Sequence, residues 1–203
     1  MEIKKILVTG SSGTIGTRLC EKLLEQNYDV VGVDWKPNKW NKKVDEITIQ
    51  VDLRNPEELK KIPKDVDIVV HLAANARVYN LVEKPELAKD NFDTVFNTLE
   101  FCRKNKINRF VFSSSREVYG NSKQTTYNEN EVDIRRCESP YTATKIAGEA
   151  LIYAYQNCFG LDYIITRFSN VYGMYDESDR VIPLFIRQTL KGEDLTIFGK
   201  EKL

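Results

Sequence analysis

Short apolar runs alternate with amphipathic stretches along most of the chain. The apolar runs predict strands near Ile3–Val8, Asp29–Asp34, Glu46–Val51, Asp67–Leu72, Arg109–Ser113 and Tyr163–Arg167. Helical spacing of apolar residues predicts helices near Ile15–Gln26, Pro85–Asn105 and Pro140–Phe159. Strands that are apolar throughout are typical of a parallel sheet covered on both faces. The pattern therefore predicts an α/β fold with a Rossmann-like, doubly wound parallel sheet.

The alternation of strands and helices fades after Tyr172. We therefore expect residues 1–172 to form the Rossmann-like domain and residues 173–203 to form the start of a small, incomplete substrate-binding region. A helix near Ile182–Lys191 and a short strand near Leu195–Phe198 are predicted in that second region. The polar, aperiodic stretch Ser122–Glu138 predicts a surface loop.

The composition limits the partners that the chain can attract. Thirty basic residues balance thirty acidic ones in 203 residues, so no global field favours nucleic acid or an anionic membrane. No apolar run approaches the ~20 residues of a spanning helix, and the sequence leads straight into a strand. We therefore expect a cytoplasmic protein without a targeting segment. Four scattered cysteines without a CxxC pair predict buried, reduced thiols.

His71 is the single histidine of the sequence. A lone histidine cannot supply a multi-histidine metal site, and a Ser-His-Asp triad would have to use this residue. His71 ends an apolar strand, which is typical of a structural group. We expect no metal site.

A glycine-rich loop joins the first predicted strand to the first predicted helix. Gly10, Gly13 and Gly16 have the spacing GxxGxxG. Gly10 permits a tight turn, Gly13 lets the backbone approach a pyrophosphate, and Gly16 permits close packing of helix on sheet. Amide groups and the positive end of the helix dipole would hold the anion. The loop alone is a weak signal, because turns also need glycine.

Asp34 strengthens this interpretation. It ends the second predicted strand, 18 residues beyond Gly16, where an acidic residue accepts hydrogen bonds from an adenosine ribose. A carboxylate there would repel a 2′-phosphate, which favours NAD over NADP. The alternative is that Asp34 only caps the strand. The four lysines in the stretch 35–43 would weaken the preference for NAD, or form a solvated loop.

A second set of polar residues suggests proton transfer. Tyr141 and Lys145 share a helical face at spacing i, i+4, directly after Pro140 at a predicted helix start. A nearby ammonium group and an oxidised nicotinamide ring would both favour the phenolate, which is needed to remove a hydroxyl proton during hydride transfer. Ser113–Ser115 lie at the carboxyl end of a predicted strand, where ligands bind in such sheets. A serine there can hydrogen-bond the reacting oxygen.

Five motifs in this order resemble the extended short-chain dehydrogenase/reductases, specifically the NAD-dependent epimerase/dehydratase group that acts on nucleotide sugars. These motifs are Thr9–Gly16, His71–Ala74, Ser113–Gly120, Tyr141–Lys145 and Arg167–Gly173. The resemblance covers essentially the whole chain. It implies that a sugar 4-hydroxyl is oxidised to a ketone and that the same cofactor later returns the hydride.

The resemblance also implies a role for each matching residue. Tyr141 would be the base, Lys145 would lower the pKa of Tyr141 and hold the nicotinamide ribose, and Ser115 would contact the 4-hydroxyl. Asp52 and Leu53 would lie beside the adenine, and Phe168 would lie near the nicotinamide. The other implied cofactor contacts are Gly10, Gly13, Thr14, Ile15, Gly16, Asp34, Leu72, Ala73, Ala74 and Asn91. Asn170 and Phe198 would face the diphosphate and base of the nucleotide sugar, and Glu117 is a further candidate for substrate binding.

The reaction outcome turns on Glu117. Relatives that eliminate water or decarboxylate a 4-keto sugar have a glutamate at this position, but dehydratases usually have an aspartate just before it. Arg116 stands there in this chain, which leaves no acid to protonate a departing hydroxyl. We therefore favour 4-epimerisation of the UDP-glucose/galactose type over 4,6-dehydration, with decarboxylation between them. Glu117 would then be a structural acid paired with Arg116 or another base.

The resemblance leaves two further expectations. Relatives continue beyond Phe198 with an arginine-containing segment that clamps the diphosphate, so the chain is expected to be C-terminally short relative to the family. A non-catalytic NAD-binding module or fragment is therefore the alternative to an enzyme. A homodimer through the helices near Pro85–Asn105 and Pro140–Phe159 is also implied.

Overall fold

The computed structural model describes residues 5–121, 126–195 and 197. The strands are β1 Lys5–Thr9, β2 Asp29–Asp34, β3 Thr48–Gln50, β4 Ile68–His71, β5 Arg109–Ser115 and β6 Asp162–Phe168. The helices are α1 Thr14–Glu25, α2 Lys42–Glu46, α3 Val78–Glu83, α4 Glu86–Asn105, α5 Pro140–Phe159 and α6 Val181–Lys191. Short 3-10 helices span Glu58–Lys61, Arg116–Tyr119 and Ile134–Arg136.

All six strands form one parallel sheet in the order β3-β2-β1-β4-β5-β6. From β1, strands β2 and β3 are added in sequence on one side. Strands β4, β5 and β6 are then added in sequence on the other side of β1. The order therefore reverses between β1 and β4, which is the doubly wound arrangement that the sequence predicts. In the register, Leu7 of β1 lies beside Val31 of β2 and Val69 of β4.

The core lies between the sheet and its helices. Leu7, Val33, Val69, Phe110 and Phe112 are each 0% exposed. Burying one such side chain contributes about 1.5–3 kcal/mol relative to leaving it in water. These residues come from four strands, so the sheet and its helices are held together by the same apolar interior.

Helix α5 begins and ends at residues suited to those positions. The Ser139 hydroxyl accepts a hydrogen bond from Thr142 N at 3.1 Å, and Pro140 opens the helix with a fixed backbone angle. The helix ends at Gly160, which adopts the left-handed conformation. Midway along it, a Cβ at Gly148 would lie 2.6 Å from the Phe112 ring. Glycine there lets α5 lie directly on β5.

The structure corrects several details of the sequence-based expectations. Helix α3 precedes α4 and was not predicted. Of the four cysteines, Cys20 and Cys102 are buried, but Cys137 and Cys158 are exposed, so the expectation of four buried thiols was wrong for these two. Cys137 follows the 3-10 helix Ile134–Arg136 in a loop, and Cys158 lies in the last turn of α5. The predicted strand at 195–198 falls partly outside the described residues; Leu195 and Ile197 have no regular secondary structure.

The chain divides into two compact units between Ser169 and Asn170, whereas the sequence pattern places the boundary after Tyr172. The first unit contains the whole sheet. In the second, Arg187 donates to the Ser178 carbonyl oxygen at 2.9 Å and pairs with Asp179 at 3.1 Å. No helix in the described part of the chain has the length and apolar character needed to cross a bilayer.

Candidate active site

The carboxyl ends of the parallel strands bring polar residues to one edge of the sheet. β1 ends at Thr9, β2 at Asp34, β4 at His71 and β5 at Ser115. Ligands of doubly wound sheets bind at this edge, at the point where the strand order reverses. In this chain that point lies between β1 and β4, directly beside the glycine-rich loop.

The glycine-rich loop is fixed by close backbone approach. Gly10 adopts a positive φ of 71°, and a Cβ there would lie 2.9 Å from Ala73 N. A Cβ at Gly16 would lie 2.0 Å from the carbonyl oxygen of Gly10. The Thr9 hydroxyl accepts hydrogen bonds of 3.2 Å from the amides of Leu72 and Ala73. The loop and the segment after β4 therefore hold each other in place.

Gly13 is placed differently from its two neighbours in the motif. It is exposed, and its backbone angles are ordinary for any residue. It directly precedes α1, whose first turn contains Thr14, Ile15 and Gly16. Within the described residues, no side chain caps the start of α1. An anion can therefore approach the backbone of this turn at Gly13 and interact with the positive end of the helix dipole.

Asp34 is both a structural group and a candidate ligand-binding group. Its carboxylate accepts hydrogen bonds of 3.0 Å from Ser12 N and from Lys36 N. Burial raises the pKa of Asp34 above its ordinary value, although the backbone amides around it act in the opposite direction. Asp34 can therefore cap the end of β2 and also accept hydrogen bonds from a ribose, because each of its carboxylate oxygens has a second lone pair.

Asp52 and Leu53, predicted to flank the adenine, belong to a fixed loop. Asp52 forms an ion pair with Arg54 at 2.7 Å, and Arg54 also contacts Asp90 at 3.0 Å. The guanidinium group lies 5.4 Å from the ring centre of Trp35, which is 59% exposed. The sequence analysis assigned no role to Trp35 or Arg54. Trp35 follows strand β2, and Arg54 lies in the segment after strand β3. Their contact forms only when these two segments come together in the folded chain, so no local sequence pattern indicates it.

Asn91 is almost completely buried on α4. Its side chain accepts a hydrogen bond from Asn75 N at 2.7 Å and donates to Asn75 O at 3.1 Å and to the Thr144 hydroxyl at 3.4 Å. Asn91 therefore joins the segment that follows Ala74 to helix α5.

Tyr141 and Lys145 lie on the buried face of α5, at 9% and 5% exposure. The Lys145 ammonium donates a 2.6 Å hydrogen bond to the Ser113 carbonyl oxygen and lies 5.6 Å from the Tyr141 ring centre. Burial lowers the pKa of Lys145 to about 8, and the charge of Glu149 opposes that effect. Helix α5 thus brings a cation next to the predicted base at the end of β5.

Ser115 is the last residue of β5 and is 7% exposed. Its hydroxyl oxygen accepts a hydrogen bond of 3.2 Å from Glu117 N. That bond uses one acceptor position of the hydroxyl. The Glu117 carboxylate lies 3.4 Å from Arg116 in a partly exposed ion pair. The pairing considered for Glu117 in the sequence analysis is therefore present.

His71 has the structural position expected for it. Its Nδ1 lies 3.0 Å from the Thr9 hydroxyl, and its ring stacks with Phe110 and Phe112. Burial, with a smaller contribution from the Lys145 charge, lowers its pKa to about 3. A neutral imidazole at neutral pH follows. Among the described residues, no group of three or more His, Cys, Asp or Glu side chains is placed to hold a metal ion.

The remaining predicted residues lie on both sides of the unit boundary. Phe168 ends β6 beside Ser115 of β5 in the sheet register. Asn170 is exposed and belongs to the second unit. Phe198 lies outside the described residues.

The first unit fits a dinucleotide cofactor. The backbone around Gly10 and Gly16 has no space for side chains, and Gly13 is exposed to solvent at the start of α1. Asp34 lies at the end of the adjacent strand β2, and Lys145 on α5 contacts β5 at Ser113, near the end of that strand. This arrangement matches the parts that hold the pyrophosphate and ribose groups of a dinucleotide.

The sheet order and the glycine cradle define a dinucleotide-binding domain of the Rossmann class. The chain belongs to the NAD dependent epimerase/dehydratase family, whose model matches residues 6–202. NAD is accordingly its cofactor. This finding agrees with the resemblance carried by the five sequence motifs.

Individual relatives give the same picture. A Methanocaldococcus jannaschii protein whose name proposes a UDP-glucose 4-epimerase is 39% identical, over 96% of this chain and 66% of its own length. The structure of Thermotoga maritima UDP-glucose 4-epimerase with UDP-glucose has a TM-score of 0.85 at 31% identity, covering 96% of this chain and 66% of that one. The Thermus thermophilus UDP-glucose 4-epimerase complex with NAD has a TM-score of 0.84 at 32% identity, covering 94% and 64%. The chain thus spans about two thirds of the length of these relatives.

Other relatives are named for different reactions. A dTDP-D-glucose 4,6-dehydratase of Dictyostelium discoideum is 31% identical, over 98% of this chain and 51% of its own length. A UDP-N-acetyl-alpha-D-glucosaminuronate decarboxylase of Bacillus cytotoxicus is 32% identical, over 98% and 65%. Family membership therefore does not by itself select one reaction.

Proposed function

We propose that this chain carries the cofactor-binding and catalytic part of an enzyme that epimerises a nucleotide sugar at carbon 4, as a UDP-glucose/galactose 4-epimerase does. The observation that carries the proposal is the arrangement of Ser115, Tyr141 and Lys145. A buried tyrosine and a buried lysine on one face of α5 meet the end of the strand that presents the serine. Such a set is suited to moving a proton between a sugar hydroxyl and the protein.

Tyr141 is the proposed base. A free phenol has a pKa near 10, so it needs a positive charge close by to act at neutral pH. The Lys145 ammonium, 5.6 Å from the Tyr141 ring centre, supplies such a charge. Ser115 holds the sugar oxygen while its proton passes to Tyr141. NAD, held by the glycine-rich loop, Asp34 and Lys145, would supply the reversible hydride transfer at carbon 4.

The position of Arg116, 3.4 Å from the Glu117 carboxylate, favours epimerisation over elimination. Dehydratases of the family usually have an aspartate where Arg116 stands, so no acid is present at that position to protonate a departing hydroxyl. Decarboxylation or 4,6-dehydration with Glu117 as the acid or base is the alternative within the same class. The family resemblance would assign the diphosphate and base of the substrate to Asn170 and Phe198, and it makes Glu117 a separate candidate for substrate binding.

The test is incubation of the purified chain with NAD and a panel of UDP-, dTDP- and GDP-sugars, followed by chromatography. Tyr141→Phe is the matched control, because it removes only the phenolic oxygen. A 4-epimer formed by the wild type and absent with Tyr141→Phe supports the proposal. A keto or pentose product assigns the chemistry to dehydration or decarboxylation. Unchanged turnover in Tyr141→Phe contradicts the role of Tyr141.

The second candidate function is a non-catalytic NAD-binding module. It predicts NAD binding without product for every sugar in the panel. Direct titration with NAD distinguishes this outcome from a protein that binds no cofactor.

We also propose that the chain forms a homodimer. Phe92 and Phe96 stack on α4 with about 40% of each side chain exposed, and Tyr153 on α5 is 43% exposed. Phe101, by contrast, is buried in the core. Helices α4 and α5 would pair with the same helices of a second copy. Light scattering should give twice the chain mass, with Phe96→Asp shifting it to the monomer.

A further inference from the structure

Glu149 and Arg167 form a buried ion pair next to residues of the candidate site. The Glu149 carboxylate, on α5, accepts two hydrogen bonds from the Arg167 guanidinium on β6, from Nε at 3.0 Å and from Nη2 at 2.7 Å. The Ser114 hydroxyl on β5 donates a third bond to Glu149. The Glu149 and Arg167 side chains are only 5% and 10% exposed. One carboxylate therefore joins three elements of the fold.

Two further donors of Arg167 are also used. Its Nη1 donates to the Tyr119 hydroxyl at 3.0 Å and to the Glu129 carbonyl oxygen at 2.7 Å. The guanidinium carbon lies 4.9 Å from the Tyr119 ring centre. A buried ion pair has a large desolvation cost, and apolar residues of similar volume are often as stable. Such a pair therefore suggests a role in geometry or electrostatics rather than in stability alone.

Each partner of Glu149 is adjacent in sequence to a residue of the candidate site. Ser114 precedes Ser115, and Arg167 precedes Phe168. Glu149 itself follows Lys145 by four residues, so both side chains lie on the same face of α5. Loss of the carboxylate would loosen the contact between the helix that carries the base and the strand that carries the serine.

Glu149 also acts on the charge of Lys145. The buried ammonium group contacts the β5 backbone at Ser113 and lies 5.0 Å from the ring centre of Phe112 and 5.6 Å from that of Tyr141. Its charge acts on His71 of β4, while the Arg167 guanidinium is paired with Glu149. The imidazole is neutral, and the guanidinium is positive. Burial favours loss of the Lys145 proton, whereas the negative charge of Glu149 opposes that loss. Glu149 thus supplies the negative charge that a buried ammonium needs.

We propose that Glu149 is a positioning residue of the candidate site: it fixes α5 against β5 and β6 and keeps Lys145 in its ammonium form. This inference rests on the proposed function of Lys145. The test below nevertheless measures Lys145 directly, without any sugar substrate. Its outcome is therefore separate from the outcome of the turnover assay.

The experiment follows the protonation of Lys145 by NMR in protein labelled with ¹³C-lysine. The ε-carbon signal of Lys145 is assigned by its absence in Lys145→Met and is then titrated with pH. Glu149→Gln keeps the size of the side chain and removes its charge. We expect it to raise the acid dissociation constant of Lys145 about tenfold or more, because a stabilising anion is lost and Arg167 is left uncompensated. Glu149→Asp, which keeps the charge, should restore part of the difference.

Glu100 offers a matched control on α4. Its carboxylate is also held by an arginine, Arg103 at 2.7 Å, and by a tyrosine hydroxyl, Tyr155 at 2.7 Å. Tyr155 lies ten residues beyond Lys145 on α5, about 15 Å along the helix. Glu100→Gln likewise removes a carboxylate that an arginine and a tyrosine hydroxyl bond, and it should leave the titration of Lys145 unchanged. Equal titration of Lys145 in the wild type, Glu149→Gln and Glu100→Gln overturns the proposal.

The double variant Glu149→Gln/Arg167→Gln covers the case in which Glu149→Gln does not fold. It removes both charges of the pair, so neither Glu149 nor Arg167 is left as a buried ion without its partner. Since Glu149 is the group that favours the Lys145 ammonium, the acid dissociation constant of Lys145 should still exceed the wild-type value. A value at or below that of the wild type overturns the electrostatic part of the proposal.

Discussion

The Lys145 ammonium group donates its 2.6 Å hydrogen bond to the backbone of Ser113, two residues before the end of β5. A flexible lysine side chain is thereby tied to the strand that presents Ser115. The bond also satisfies one donor of a group that is otherwise costly to bury. The charge of Lys145 is thus held at a fixed position, 5.6 Å from the ring centre of Tyr141.

Replacing Lys145 with methionine should remove the charge that favours the Tyr141 phenolate. We expect kcat/KM at pH 7 to fall by about 10²–10⁴-fold, the usual contribution of a positioned acid–base group. The pH at which activity appears should move towards the ordinary tyrosine pKa of about 10. A pH–rate profile measures both effects. Lys89→Met, on the exposed surface of α4, is the control, and an unaltered profile for Lys145→Met would contradict the prediction.

Gly13 and Gly16 should respond differently to alanine. At Gly16, the added Cβ would lie 2.0 Å from backbone, so we expect a loss of about 1–3 kcal/mol in the free energy of unfolding. At Gly13, the closest backbone atom would be 3.2 Å away, so stability should change by less than about 1 kcal/mol. NAD affinity of Gly13→Ala should nevertheless fall about tenfold or more, because the methyl group would occupy the side from which the pyrophosphate approaches. Thermal unfolding and calorimetric titration with NAD separate the two effects.

Asp34→Asn should reduce discrimination against NADP. The amide keeps the shape of the side chain and removes the charge that repels a 2′-phosphate. We expect the ratio of NAD to NADP affinity to fall about tenfold or more, helped by the lysines of the 36–43 segment. Both cofactors would be titrated by calorimetry. Asp45→Asn, whose carboxylate bonds to Asn38 N at 2.7 Å, is the control and should leave the ratio unchanged.

His71 should make the fold sensitive to acid. Its pKa is about 3 in the folded protein, below the ordinary value of 6.5. The unfolded chain therefore binds the proton first as pH falls through 6.5, so stability is lost between pH 6.5 and about 3. Between pH 6.5 and 4.5 this contribution is roughly 2–3 kcal/mol. Denaturant unfolding at pH 7.0 and 4.5 should show a smaller loss for His71→Asn than for the wild type; equal losses would refute the assignment.

The sheet was predictable because each buried strand is a continuous apolar run. Such runs are visible in sequence, and strand bounds differ from the predicted ones by only a few residues. Helix α3 was missed for a physical reason: its six residues bury only Leu81, so no helical period develops. The short helix α2 similarly buries only Val44.

The site was predictable where one residue type at one spacing has a chemical meaning, as for Gly10 and for Tyr141 with Lys145. Glu149 and Arg167 show the opposite case. A glutamate in a helix and an arginine in a strand are both typical of the solvated surface. Only the contact between α5 and β6 makes them a buried pair, and that contact is a property of the folded chain.

Strand β1 has a consequence for synthesis of the protein. It leaves the ribosome before every other strand of the sheet, yet its contact with β4 joins residues 62 positions apart. At translation rates of about 5–20 residues per second, one edge of β1 waits roughly 3–12 s for its partner. Leu7 and Val8 are completely buried at the centre of the finished sheet. Among the apolar residues of this sheet, they are thus accessible to nascent-chain chaperones for the longest time.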